Sequence, residues 1–203
     1  MKEFWNERYS RQEYIYGQLP NEYLKEKLAS LIKGKVLFPC EGEGRNAVYA
    51  AKLGWNVFAF DQSEAGKIKA EALAKNNNVS IDYSISTVQD ENYPIESFDA
   101  LALIYAHFPE QSRKNYHQKL SSFLKRGGVL IIEGFSKKHA EYQKTNPNVG
   151  GPKDIGMLYN LDELKKDFIN FDFKEALETD IVLSEGAFHK GNAAVVRILA
   201  IKK

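Results

Sequence analysis

The sequence predicts an α/β fold: a mainly parallel sheet covered by helices on both faces and finished by an antiparallel hairpin. Three observations carry this. Short apolar runs alternate with helix-patterned segments from residue 21 to about residue 133. The connections between them are brief, which suits strand–helix–strand units in a parallel sheet. Finally, Phe171 to Leu183 and Ala193 to Ile201 are two long strand-like runs joined only by the nine residues SEGAFHKGN, too few for a crossover helix.

Taken in order, Asn21 to Ile32 spaces Leu24, Leu28, Leu31 and Ile32 as one helix face, and Gly34 ends it. Val36 to Phe38 reads as a strand entering a glycine-rich turn, and Arg45 to Leu53 as a helix stopped by Gly54. Trp55 to Phe60 is a second strand ending at Asp61, followed by a strong helix former from Glu64 to Lys75. Ile81, Tyr83 and Ile85 alternate as a third strand, and Phe98 to Tyr105 is apolar enough for burial on both faces. Pro109 opens a helix to about Lys125, and Gly127-Gly128 turns into a fifth strand, Val129 to Glu133.

Composition narrows the function. The chain has 203 residues with 28 Lys+Arg against 27 Asp+Glu, and 43% are hydrophobic, which suits one domain with a sizeable core. A formal charge of +1 lacks the one-signed excess of a nucleic-acid binder. One cysteine makes neither an internal disulfide nor a thiolate zinc site, and His107, His117, His139 and His189 show no metal-ligand spacing, so no metal is expected. The charged, aromatic start MKEFWNERYS is not a signal peptide, and no apolar run is long enough to span a bilayer. A cytoplasmic protein with no membrane partner, as monomer or homodimer, is the expectation.

The strongest local signal is FPCEGEGRNA at residues 38–47. Gly42 and Gly44 allow close backbone approach to a ligand, and the following helix offers unpaired N–H groups. Asp61, at the end of the next strand, can accept hydrogen bonds from both ribose hydroxyls of an adenosine-containing ligand. A tight turn and a helix-capping aspartate would explain the same residues structurally. Gly42-x-Gly44-x-x-Ala47 also fits a dinucleotide fingerprint. An NAD(P)-dependent reductase fits less well: there is little room for a substrate domain, and Tyr23-x-x-x-Lys27 precedes the loop. The terminal hairpin has no place in an all-parallel dinucleotide sheet.

Over nearly its whole length the chain resembles class I S-adenosylmethionine-dependent methyltransferases, in the branch of tellurite-resistance and thiopurine methyltransferases. The resemblance lies in FWNERY…IYGQLPNEYL, EGEGRNAVYAAKLGWNVFAFDQS, ESFDALALIYAHFP, LKRGGVLIIEGF, GGPKD at Gly150 to Asp154, and EGAFHKGNAAVVRILA. It implies a Rossmann-like three-layer sandwich on a seven-stranded, mostly parallel sheet with an antiparallel last strand. It also implies S-adenosyl-L-methionine as cofactor. Carried over by position, Gly42 and Gly44 face its methionine part, Asp61 binds the ribose, Gln62 lies beside the adenine, and Ser86 and Thr87 near the adenine amino group. The common motif begins with an acid and a glycine where this chain has Phe38 and Cys40, which leaves Glu41 or Glu43 to meet the cofactor ammonium.

The acceptor should sit at the C-terminal ends of the strands. His107 in YAHFP is the candidate base or orienting group, beside Tyr105, with a loop-packing or helix-capping role as the alternative. Glu133 ends the fifth strand at the same edge, where a capping role fits better than catalysis. The aromatic segment with Trp5, Tyr9, Tyr14 and Tyr16 (within a cover of residues 1–33), Lys153 in the loop-rich segment 136–160, and His189 in the hairpin complete the expected acceptor pocket. Small molecules are the expected acceptors, a thiol, tellurium or selenium species among them, since soft nucleophiles need little base assistance. A cofactor-binding protein without turnover is the alternative.

Overall fold

The structure is a computed structural model that describes residues 2–203. A helix, α1 (Lys2–Tyr9), and an irregular stretch precede α2 (Glu22–Ala29). Then follow β1 (Lys35–Pro39), α3 (Arg45–Lys52), β2 (Asn56–Asp61), α4 (Glu64–Asn76), β3 (Asp82–Ile85) and β4 (Phe98–Ile104). The remainder is α5 (Glu110–Phe123), β5 (Leu124–Phe135), α6 (His139–Thr145), α7 (Leu161–Asp167), β6 (Phe171–Glu185) and β7 (His189–Lys202).

The strands form one seven-stranded sheet in the order β3-β2-β1-β4-β5-β7-β6. All neighbours from β3 to β5 are parallel, and β7 runs antiparallel to both β5 and β6. The expected sheet, hairpin and antiparallel last strand are therefore present. Because β6 runs with the core strands, its C-terminal end and the hairpin turn lie at the same sheet edge as the ends of β1, β2, β4 and β5.

Side-chain alternation divides the core between the two faces. Val36, Phe38, Ala100, Ala102 and Ile104 pack with Leu24, Leu28, Ala47, Ala50 and Ala70 of α2, α3 and α4. Leu37, Leu101, Leu103 and Phe60 pack on the other face with Leu120 and Phe123 of α5, Leu164 of α7 and Phe168 just after it. Burial on both faces explains why these strands read as continuous apolar runs.

Helix starts follow local capping chemistry. The Asn21 side chain accepts from Leu24 N at 2.9 Å to start α2, and Ser63 Oγ accepts from Gly66 N at 3.1 Å to start α4. The α2 helix ends at Ala29 and leaves Ile32 almost fully exposed, so the helix predicted to residue 32 is too long. The fifth strand begins at Leu124, not at Val129, because Leu124 already pairs with Phe98 ahead of a bulge. The segment 136–160 is more structured than expected. It holds α6 and two 3₁₀ turns, buries Val149, Leu158 and Tyr159, and adds a parallel bridge from Ser136 to Tyr159. Among the described residues no helix is long and apolar enough to cross a membrane.

Candidate active site

The strand order reverses between β1 and β4, and a crevice at the C-terminal ends of such strands is where open α/β sheets take ligands. A cavity of about 760 Å³ occupies that place. Its wall includes Glu41, Asp61, Gln62, Ser86 and Thr87 on one side and Tyr105, His107, Lys153 and His189 on the other, under Trp5, Tyr9 and Tyr16. The two residues that follow the strands at the reversal, Cys40 and Tyr105, both line the cavity with left-handed backbone, φ 56° and 54°. Such conformations in residues other than glycine cost energy and gather at ligand sites.

Gly42 and Gly44 are not on the cavity wall. Gly44 has φ 88°, and a Cβ there would lie 2.7 Å from Ala70 Cα, so it serves the packing of α3 on α4. At Gly42 a Cβ would lie 2.6 Å from Tyr9 Oη, and the residue's N–H and C=O are bonded to Asp61 (3.2 Å) and Tyr83 (2.7 Å). The start of α3 is closed as well. Glu41 Oε1 accepts from Asn46 N and Ala47 N, each at 2.8 Å, so those N–H groups are not free for a ligand. Glu43 points away from the cavity and ties the N-terminal segment down, accepting from Ile15 N at 2.8 Å and pairing with Lys69 at 2.7 Å.

Asp61 is 7% exposed, with Oδ1 accepting from Ser63 N at 2.9 Å and Oδ2 from Gly42 N at 3.2 Å. Burial raises its pKa to about 6, opposed by these backbone bonds. Burial likewise raises Glu41 to about 7, with the helix N–H groups and Arg45 opposing. Among the described residues neither carboxylate at this end of the cavity is in a direct ion pair or accepts from a hydroxyl; backbone N–H groups are their hydrogen-bond donors.

His107 needs correction as the candidate base. Its Nδ1 donates to Met157 O at 2.9 Å and its Nε2 accepts from Phe135 N at 3.1 Å. The ring is stacked between Tyr159 and Phe135, and burial lowers its pKa to about 4. With both nitrogens committed to backbone groups, His107 holds the 151–157 loop against β5 and has no lone pair for a substrate.

His189 has the properties that His107 lacks. It is 4% exposed, and its Nδ1 donates to Glu185 Oε2 at 3.0 Å, while Nε2 makes no hydrogen bond among the described residues. Tyr16, Tyr105 and Phe135 pack around the ring at 4.5, 4.6 and 5.3 Å between centroids. Burial pulls its pKa below the ordinary imidazole value against the opposing pull of Glu185, so it is neutral near pH 7. Glu185 is held ionised, at about 2, by His189 and by Arg45 Nη2 at 2.9 Å.

This pair stands on a buried polar network that spacing in the sequence does not reveal. Asn21 Nδ2 donates to Glu133 Oε1 at 2.6 Å and to Glu185 Oε1 at 3.3 Å. Tyr105 Oη donates to Glu133 Oε1 at 2.9 Å, and Arg197 Nε to Glu133 Oε2 at 2.6 Å. Two carboxylates thus face two guanidiniums, which leaves the neutral imidazole charge-balanced. Elsewhere, His117 staples α5 to α7 through Asp167 at 2.9 Å, and His139 stacks on Phe135. No group of three or more His, Cys, Asp or Glu among the described residues is placed to hold a metal ion.

Comparison with known proteins places this geometry in context. Residues 36–128 match the methyltransferase domain family, a segment running from β1 into β5 and containing the glycine loop and Asp61. A tRNA (uracil(54)-C(5))-methyltransferase of Pyrococcus abyssi (strain GE5 / Orsay) is 27% identical over 177 residues, covering 80% of this chain. The chain spans about two fifths of that relative, 38% of its length. Among solved structures, one described as converting a disulfide bond into a thioacetal group during echinomycin biosynthesis aligns with TM-score 0.79 and 18% identity. It covers 100% of this chain and 92% of its own. Magnesium protoporphyrin IX methyltransferase (ChlM) from Synechocystis PCC 6803, with bound S-adenosylhomocysteine, gives 0.73 and 14%, covering 100% and 97%. TehB from Haemophilus influenzae gives 0.70 and 17%, covering 100% of this chain and 67% of its own. At these identities the structures share the fold. The segment that matches the methyltransferase domain family supplies β1 and β4, and the cavity lies where the sheet reverses strand order between them.

Proposed function

We propose that the chain is an S-adenosylmethionine-dependent methyltransferase acting on a small molecule, with sulfur, selenium or tellurium nucleophiles among the candidate acceptors. The observation that carries this is the division of one cavity into a carboxylate end at β1–β2 and an imidazole end at β5–β7. The tellurite-resistance and thiopurine branch belongs to the same proposal, supported by the aromatic N-terminal cover and the hairpin motif EGAFHKGN.

The residues fit the cofactor. Asp61 would take the ribose hydroxyls, Gln62, Ser86 and Thr87 the adenine, and Glu41 the ammonium, which would give Asp61 hydroxyl donors and Glu41 a cation in direct contact. The bound cofactor supplies an electrophilic methyl on a sulfonium. The protein's work is then to exclude water, aim the acceptor and handle its proton. Trp5, Tyr9, Tyr16, Tyr105 and Phe135 make the cover and walls. His189 Nε2 accepts the acceptor's proton, while Glu185, fixed by Arg45, holds the ring in the tautomer with hydrogen on Nδ1.

The test is transfer of a labelled methyl to a panel of aryl thiols, selenols, phenols, amines, tellurite and unmodified tRNA, by wild type and His189→Gln. A small acceptor that is methylated, and slowed by about 10²-fold or more in the variant, supports the reading. Methylation of tRNA alone would overturn the small-molecule acceptor. Cofactor binding with no turnover on any acceptor would favour a non-catalytic binding protein.

A further inference from the structure

The cavity's charges are separated. The carboxylates Glu41 and Asp61 lie at the ends of β1 and β2, whereas Arg8 of α1 and Lys153 of the 151–157 loop line its other walls. Neither Arg8 nor Lys153 forms an ion pair among the described residues; the remaining cation of the wall, Arg45, is engaged by Glu185. Arg8 is also held in place. Its guanidinium lies over Phe4, Trp5 and Phe188 at 4.4, 5.4 and 5.0 Å from the ring centroids, and Nη1 donates to Tyr16 Oη at 2.9 Å.

From this arrangement we propose that the acceptor is a small molecule with an apolar body and an anionic group, and that Arg8 is the specificity residue that grips the anion, assisted by Lys153. The proposal deepens the methyltransferase reading and rests on it. Four considerations support it. A planar, half-buried guanidinium fixed by stacking and one hydrogen bond has already lost its rotamer freedom, so binding an oxyanion costs little further ordering. Its anchor, Tyr16, packs 4.5 Å from the His189 ring, which puts the anion site one aromatic ring away from the base. Glu43, whose charge reaches Tyr16, is paired with Lys69, and Glu185 beside His189 is paired with Arg45, so these buried carboxylates are already matched by other cations. The apolar walls match an aromatic or aliphatic body.

Stacking of Arg8 on surface aromatics with no ligand role would produce the same contacts, and the experiment separates the two. Protein saturated with S-adenosylhomocysteine is titrated calorimetrically with benzoate and with benzamide, which share shape and differ in charge. Benzoate is expected to bind about tenfold tighter or more, the preference falling as salt is added. Arg8→Gln should bring benzoate down to the level of benzamide. Arg8→Lys should keep part of the preference, and Tyr16→Phe, which removes only the anchoring bond, should weaken it. Equal binding of the two probes, no benzoate binding at millimolar concentration, or an unchanged preference in Arg8→Gln overturns the proposal. Binding of S-adenosylhomocysteine is read on the same samples. If it binds while the anion preference is missing, this inference alone fails. If it does not bind, the cofactor reading fails, and the probe preference is then decided on the ligand-free protein.

Discussion

Replacing Asp61 by asparagine should stabilise the protein while removing its cofactor. The carboxyl is buried, and burial raises its pKa from 3.8 to about 6. At 1.36 kcal/mol per pKa unit, the ionised form costs the folded state about 3 kcal/mol. The folded protein keeps this proton between pH 3.8 and about 6, where the unfolded chain has lost it, so stability falls as pH rises through that window. Above it the full cost is present. Asparagine carries no charge, but it has one acceptor oxygen for the two N–H groups of Gly42 and Ser63, which returns about 1–2 kcal/mol. The net expectation at pH 7.5 is a gain of about 1–2 kcal/mol, or a rise of about 2–8 °C in Tm for a chain of this size. The gain should vanish at pH 4.5, where wild type holds the proton. Thermal melts of the ligand-free proteins at the two pH values measure this, and calorimetry reports the lost binding. A variant less stable than wild type at pH 7.5, or a gain equal at both pH values, would show that the buried Asp61 charge does not destabilise the fold.

Three further outcomes follow from the geometry. His107→Ala should cost about 3 kcal/mol in urea unfolding, because Met157 O and Phe135 N lose their partner and a stacked ring is removed; a loss under about 1 kcal/mol would contradict the structural role. Gly44→Ala should destabilise by about 2–4 kcal/mol, since its φ of 88° and the 2.7 Å approach to Ala70 Cα both oppose a side chain. Cofactor binding near pH 6.5 should release about one proton: with pKa values of about 6 and 7, Asp61 and Glu41 together hold about one proton that the bound ribose and ammonium displace. Binding enthalpies that do not vary between phosphate and Tris buffers would exclude that coupling.

Much of this architecture is legible in the sequence because it is encoded locally. Strand–helix alternation gives the parallel core, and the nine-residue connection after Leu183 forces the antiparallel β7. Glu41, Asp61, Gln62, Ser86 and Thr87 could be placed at the cavity wall from the sequence because each lies at or just past a strand end, and strand ends are read from short-range pattern. Proline and glycine around residues 147–152 interrupt periodicity, so α6 and the packing of Tyr159 and Val149 are hidden. The different surroundings of His107 and His189 have a long-range cause. Nothing near residue 107 announces that Met157 and Phe135 occupy both ring nitrogens. The network through Asn21, Glu133 and Glu185 joins residues more than a hundred positions apart. Arg8 is of the same kind, since its neighbour Phe188 lies at the far end of the chain.

The most direct test of the central claim is titration calorimetry of the protein with S-adenosylmethionine, S-adenosylhomocysteine and NADH, run beside Asp61→Ala. Both adenosyl ligands should bind at micromolar concentration, with a loss of about 100-fold or more in the variant as charge-assisted bonds to the ribose disappear, and NADH should not bind. Binding of NADH alone, or adenosyl ligands bound equally well without Asp61, would contradict that claim.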